Sequence, residues 1–286
     1  MLKYLDNIKI LHIEPTNICQ AACPACAREV DLDFDKSIHK SLTVNDLKNI
    51  LPDAVIANLN KMYLCGTYGD PAAGHALEIY QYFRNINNNI TLGMNTNGAL
   101  QSTSWWHMIG KILNRQQDFV VFSIDGLQDT NHIYRKNVIW DKLLSNIQAF
   151  INAGGNAHWD MLIYKHNEHQ VDQCEQLAKN LGFKWFRAKV SRRPLVAGLE
   201  HPVKWLTPTQ SAGKIQCKAL EEKSLYIDCN GIIHPCCWLG GRVKDFLTFE
   251  DVMPTWNTNP HPICKASCSD QANEYRDQWK HEIEIN

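Results

Sequence analysis

A chain of 286 residues with 29 Lys and Arg against 30 Asp and Glu has a formal charge of −1, which argues against a protein built around nucleic acid or anionic lipid. Its 44% hydrophobic and 21% charged residues are ordinary globular usage, so a buried core is expected and wholesale disorder is not. The densest apolar run, Phe119 to Ile124, is far below the roughly 18 residues of a membrane span, and charges interrupt the apolar residues at the start of the chain; a cytoplasmic protein is expected.

In chain order, short β-rich apolar runs predict strands at Ile8 to Ile13, Lys61 to Cys65, Ile90 to Asn95, Phe119 to Ile124, Ala157 to Ile163 and Lys184 to Val190. Helices are predicted at Thr43 to Leu59, Ala73 to Ile86, Thr103 to Leu113, Trp140 to Ala153 and Glu168 to Leu181. Thr43 and Ser102 read as N-caps, and Gly154-Gly155 and Gly182 as helix stops. The alternation is that of an α/β parallel sheet. Six βα units are too few for a closed eight-stranded barrel and suit an open, partial (β/α)6 TIM-type barrel, whose chemistry gathers at the carboxyl ends of its strands. From about Pro194 the alternation stops, placing a domain boundary at 195: the barrel over 1–195 and a small cysteine-rich domain over 196–286. The latter contains a hairpin, Ser224 to Pro235, turning at Asn230-Gly231, and a terminal helix predicted at about Gln271 to Glu282.

Eleven cysteines in a reducing compartment point to metal or cluster ligation, because such compartments disfavour disulfides and an odd number cannot all pair. Cys19, Cys23 and Cys26 form a C-x3-C-x2-C loop directly after the first strand. Three thiolates so spaced can face one centre. A structural zinc site wants a fourth protein ligand and a complete four-iron cluster a fourth cysteine, and with none nearby an open coordination position is implied.

This loop resembles the signature of radical S-adenosylmethionine (SAM) enzymes. The resemblance implies that Cys19, Cys23 and Cys26 hold a [4Fe-4S] cluster whose fourth iron is chelated by the amino and carboxylate groups of SAM. SAM is then cleaved reductively to a 5′-deoxyadenosyl radical, which abstracts a substrate hydrogen. Where many members carry an aromatic residue before the third cysteine, this chain has Ala25. A zinc site or three unrelated thiols is the alternative.

Other segments match family positions at strand ends. Gly66-Thr67-Tyr68-Gly69-Asp70 resembles the Gly-Gly-Glu type segment that contacts the SAM amino group, with Asp70 as the acid. Asn97 after the third strand, and Ser123 and Asp125 after the fourth, are similar to residues that meet the ribose and carboxylate of SAM. Arg135 resembles the arginine of a Tyr-Arg pair and suits a carboxylate. Lys189 to Arg193, ending the sixth strand, is a candidate contact for an anionic substrate group or a basic linker.

The C-terminal cysteines resemble the auxiliary-cluster segment of the SPASM and twitch subfamilies. Their small number favours a twitch-like domain with a second, auxiliary [4Fe-4S] cluster held by Cys217, Cys236, Cys264 and Cys268; zinc on the same thiolates is the alternative. Cys229 and Cys237 read as structural or spare, and with Cys65 as candidate hydrogen donors. Trp105, Trp106, Trp159, Trp185 and Trp238 belong either to the core or to a cavity wall.

The expected activity is a radical SAM enzyme acting on a peptide by oxidation, crosslinking or epimerisation. A twitch-type dehydrogenase of a small-molecule alcohol or amine is the second reading, and a non-catalytic zinc or iron–sulfur binding module the third. A one-electron donor such as flavodoxin or ferredoxin is the expected partner, with neither nucleic acid nor membrane. Because the first strand begins near the start of the sequence, a separate protein is expected to supply any leader-peptide recognition.

Overall fold

The structure, a computed structural model, describes residues 7–191, 195–196, 198–204, 214–240, 253–255, 257–268 and 279–285. Six strands, β1 (Ile10–Ile13), β2 (Lys61–Leu64), β3 (Thr91–Thr96), β4 (Phe119–Ser123), β5 (Ala157–Ile163) and β6 (Trp185–Val190), lie side by side in chain order with every neighbouring pair parallel. These are the six predicted runs, each within two residues of the expected ends.

The helices between them are α1 (Ala27–Val30), α2 (Val44–Ile50), α3 (Asp53–Ala57), α4 (Ala76–Ile86), α5 (Thr103–Ile112), α6 (Gln128–Tyr134), α7 (Trp140–Asn152) and α8 (Val171–Leu181). Thr43 caps α2 in a reciprocal box with Asp46, and Ser102 caps α5, so the first-turn N–H groups are satisfied. Pro52 divides the single helix expected over Thr43 to Leu59: it has no N–H to donate, disfavours helical geometry at Leu51, and starts α3 instead. Gly182 ends α8 at φ 85°, a left-handed turn that only glycine adopts without cost.

Burial alternates strictly along β5 and β6, residues such as Trp159, Ile163 and Phe186 facing the helices and Asp160, Leu162, Arg187 and Lys189 the concave side. The helical layer covers the outer face through Tyr80, Phe83, Trp106, Ile147 and Phe150, all fully buried. Arg84 and Asp118 pin the amino-terminal end, Asp118 also accepting the Leu92 N–H at 2.8 Å.

The later segment extends this sheet. After α9 (Lys218–Glu221), β7 (Ser224–Ile227) pairs in parallel with β1 and antiparallel with β8 (Ile233–His234), forming the expected hairpin. β9 (Trp279–Glu284) pairs antiparallel with β6, giving the order β8-β7-β1-β2-β3-β4-β5-β6-β9 and an open, unclosed barrel. The terminal helix predicted to Glu282 is therefore corrected over 279–284, where pairing with β6 and packing of Ile283 against the core override the helical preference of Glu and Lys; 271–278 lie outside the described residues. Two short helices, α10 (Cys237–Gly240) and α11 (Pro262–Cys268), complete the described chain. Among the described residues no helix is long and apolar enough to cross a membrane.

Candidate functional site

The carboxyl ends of β1 to β6 surround a cavity of about 470 Å³. One wall is the loop after β1. There the chain turns at Cys23, with the Cys26 N–H donating to the Cys23 carbonyl at 2.9 Å, so that Cys19, Cys23 and Cys26 all line the cavity. The loop is anchored from both sides: the Ala22 N–H donates to Lys136 O at 3.1 Å and the Asp70 N–H to Ile18 O at 2.9 Å.

The loop after β2 forms the adjacent wall through Gly66, Thr67, Tyr68, Gly69 and Asp70. Its course is set by Glu14, which the sequence reading passed over. Only 1% exposed, Glu14 accepts the N–H groups of Tyr68 at 2.7 Å and Gly69 at 3.2 Å and the hydroxyl of Tyr226 on β7. Burial pushes the Glu14 pKa up against the pull of these donors. The two glycines permit backbone approaches no side chain would allow: a Cβ at Gly69 would stand 1.9 Å from Thr16 O, and one at Gly66 2.1 Å from Gly69 O. Tyr68 stacks on Phe34 with ring centroids 4.4 Å apart and donates to Asp31 at 2.7 Å.

Asp70 lines the cavity but is enclosed by protein donors. Its carboxylate accepts Asn97 N and Nδ2, each at 2.7 Å, the Thr96 hydroxyl at 2.8 Å and the Ala72 N–H at 3.0 Å, while burial raises its pKa. Asn97 in turn points Nδ2 at Cys19 Sγ, 3.7 Å away. Ser123 lines the wall beside β4. Asp125 is fully buried behind that wall rather than on it, accepting Arg135 Nε at 2.6 Å and the Leu162 N–H at 2.6 Å. Arg135 lines the cavity with its Nη1 3.8 Å from Cys23 Sγ. Burial alone works against its charge, but the Asp125 carboxylate and the Cys23 thiol outweigh it and hold the Arg135 pKa above its ordinary value.

Burial, then the nearby Asp70, push the Cys19 thiol up to about 12, and burial also raises Cys23. Both stay protonated at neutral pH until a cation displaces the proton. Among the described residues no three His, Cys, Asp or Glu side chains lie close enough to hold a single metal ion. Cys19, Cys23 and Cys26 bring three soft thiol donors to one cavity, a set that suits an iron–sulfur cluster as well as zinc.

The far wall holds Asp160, Met161 and Leu162 of β5 and Ser267 of α11, which the sequence reading did not place, together with Ser191 and with Trp238 of α10. Asp160 is bound by Arg187 through both oxygens, at 2.8 and 3.1 Å, with Lys189 beside it on the cavity wall. Arg192 and Arg193 lie outside the described residues. Of the five tryptophans singled out, only Trp238 lines the cavity; Trp106 of α5 and Trp159 of β5 are fully buried between the sheet and the helices. Charged positions on alternating strands carry no sequence signal of which face they take, so this wall was not legible.

The four C-terminal cysteines assemble around one small apolar cluster: Cys264 packs with Ile215 and Leu239, and Cys236 and Cys268 lie against them. Cys217 joins through the residue before it, the Gln216 N–H donating to Cys268 O at 2.7 Å. Burial, and then Cys217, Cys236 and Cys264, push the Cys268 thiol up to about 11. Cys237 acts instead on Tyr63 and Tyr226, and Cys229 is buried beside a second cavity of about 430 Å³ at the hairpin turn.

Known structures share this architecture. The crystal structure of Streptococcus suis SuiB bound to S-adenosylmethionine superposes with a TM-score of 0.58 at 16% identity, covering 91% of this chain and 67% of that one. SuiB bound to its precursor peptide SuiA gives 0.57 at 16%, covering 92% and 67%. Histidine-tagged anSMEcpe with bound AdoMet gives 0.58 at 16%, covering 80% and 71%. No curated protein matches the chain significantly. The model of the Radical SAM superfamily matches residues 13–178, more than half of the sequence and all three loop cysteines, and the chain belongs to that superfamily.

Proposed function

We propose that Cys19, Cys23 and Cys26 hold a [4Fe-4S] cluster, that SAM binds in the cavity beside it, and that the chain modifies a peptide. The observation that carries this reading is the convergence of the three loop thiols with Gly66 to Asp70, Asn97, Ser123 and Arg135 on one cavity. When bound, the cluster supplies the electron that cleaves SAM reductively, and SAM supplies the radical that removes a substrate hydrogen.

The chain's own residues bind, orient and exclude water. Glu14 fixes the Gly66 to Asp70 backbone against which the SAM amino group would lie, and Asp70 fixes Asn97 at the cluster edge. Ser123 and Arg135 stand where the ribose and carboxylate of SAM would be met. Trp238 and Ser267 line the cavity, where they would help shield a reactive centre from water.

A peptide substrate is supported by the relatives of shared fold, SuiB with its precursor peptide SuiA and anSMEcpe with the Kp18Cys peptide, the latter at a TM-score of 0.57 and 14% identity. Cys217, Cys236, Cys264 and Cys268 are the ligands we propose for an auxiliary cluster, and a flavodoxin- or ferredoxin-type protein in the cytoplasm for the electron donor. The test is anaerobic iron and sulfide analysis of the reconstituted protein beside a Cys19/Cys23/Cys26→Ala variant, each incubated with SAM and dithionite. About eight irons falling to about four, with 5′-deoxyadenosine from the unmutated chain alone, is the expected result. Zinc in place of iron, or no SAM cleavage under any reductant, would refute it.

A further inference from the structure

We propose that Arg135 and Asn97 are hydrogen-bond donors to the sulfurs of Cys23 and Cys19, that they set the reduction potential of the cluster, and that each is fixed by its own buried carboxylate. The inference rests on the cluster reading above and adds to it a function for Asp125 and Asp70 that does not involve touching SAM.

Two contacts of one kind carry it. Arg135 Nη1 lies 3.8 Å from Cys23 Sγ and Asn97 Nδ2 lies 3.7 Å from Cys19 Sγ. Behind each donor stands a carboxylate almost closed to solvent, Asp125 at 0% and Asp70 at 5% exposed. Asp125 takes Arg135 Nε at 2.6 Å, and Asp70 takes both Asn97 N and Nδ2 at 2.7 Å. Gln20, next to Cys19, braces Asn97 further, its Nε2 donating to Asn97 Oδ1 at 2.7 Å and its Oε1 accepting from Asn97 Nδ2 at 3.2 Å, so the two Nδ2 hydrogens are shared among Asp70, Gln20 and Cys19. Both donors are therefore held in one orientation before any cluster is present. Cys26 differs: the contact at its sulfur is the Thr67 carbonyl at 3.9 Å, an acceptor.

One-electron reduction places added negative charge on the cluster and its thiolate ligands. A donor aimed at a ligating sulfur, or a positive charge beside it in a water-poor site, stabilises the reduced form more than the oxidised form and raises the potential. Arg135 supplies both effects and Asn97 the first alone, so Arg135 has the larger influence. Asp125 and Asp70 hold these donors in place, their own negative charge opposing part of the effect, and are positioning residues.

The experiment is a redox titration of the anaerobically reconstituted full chain followed by electron paramagnetic resonance, the loop cluster being the component absent from the Cys19/Cys23/Cys26→Ala variant. Arg135→Gln is expected to lower the equilibrium constant for one-electron reduction about tenfold, ~59 mV per decade, at unchanged iron content. Asn97→Ser should shift it less, in the same direction, and Arg135→Lys should recover part of the loss. If Arg135→Gln fails to keep iron, Arg135→Lys and Asn97→Ser decide by the same titration. Unchanged or raised potentials in the variants overturn this inference alone. A chain that assembles no loop cluster overturns it together with the proposed function, whereas the expected shifts without SAM cleavage overturn only the latter.

Discussion

Glu14, one residue beyond β1, accepts the backbone N–H of Tyr68, four residues beyond β2, at 2.7 Å. The same carboxylate takes the Gly69 N–H and the Tyr226 hydroxyl, so one buried side chain ties β1, the loop after β2 and β7 together. Removing it leaves three buried donors without an acceptor. Glu14→Ala should cost ~2–4 kcal/mol and lower the melting temperature by roughly 5–10 °C. Glu14→Gln, with one acceptor oxygen, should fall between. Calorimetry and SAM titration check both, and SAM binding should weaken in step with stability.

Gly69→Ala isolates the same loop by sterics. Its Cβ would meet Thr16 O at 1.9 Å, a backbone atom that no rotamer change can move aside. The loop or the cysteine-bearing segment must shift, so SAM affinity should fall at least tenfold, about 1.4 kcal/mol, while the secondary-structure content seen by circular dichroism is kept. Gly154→Ala is the control: φ is left-handed there, as it is not at Gly69, but the nearest heavy atom is a side-chain carbon at 3.8 Å and the site does not line the cavity. It should cost stability without changing SAM affinity.

Much of the barrel was legible because each strand buries a face. Ala157 to Ile163 alternates so strictly that β5 has the bounds predicted for it. α6 was missed because Asp125-Gly126 reads as a turn and the seven residues Gln128–Tyr134 are mostly polar, their helix being set by tertiary contacts such as Asn131 Oδ1 accepting the Asp125 N–H at 2.8 Å. The cysteine loop could be read from spacing alone. The difference between Asp70, Asp125 and the cavity surface could not, since a carboxylate after a strand looks the same in sequence whether it meets a ligand or clamps a neighbouring donor. Glu14 shows the same limit, its partners lying 54, 55 and 212 residues away.

Cluster loading should release protons and depend on pH. Cys19 stands at about 12 and Cys268 at about 11, both raised first by burial, so at neutral pH these proposed ligands are thiols that iron would have to deprotonate. Addition of ferrous iron and sulfide in weak buffer should acidify the solution, and apparent affinity should rise with pH by up to ~10-fold per unit for each proton displaced. Stripping iron with a chelator should lower the melting temperature, since a group bound by the folded chain alone is then lost. A loading curve independent of pH between 7 and 9 would contradict the buried-thiol state of these cysteines.

His158 should make stability fall in mild acid. Its ring stacks on Phe119 at 5.6 Å on the concave face of the sheet, and burial, then Arg187 and Lys61, lower its pKa from 6.5 to about 4. The unfolded chain takes up this proton near pH 6.5 while the folded chain resists until about pH 4, so between those values the unfolded state binds more protons and folding loses ground as pH drops. Above pH 7 nothing is lost, and below about pH 4 the loss is complete. The whole interval corresponds to ~3 kcal/mol, and partial solvent access reduces this to roughly 1–2 kcal/mol. His12, also lowered to about 4 by burial, adds to the same trend in every variant that retains it. His158→Phe keeps the stacked ring and removes the titration. Urea unfolding at pH 7.5 and pH 5.0 should therefore show the unmutated chain losing ~1 kcal/mol more than the variant between the two. Parallel losses would mean that His158 takes up its proton in the folded chain at the same pH as in the unfolded one.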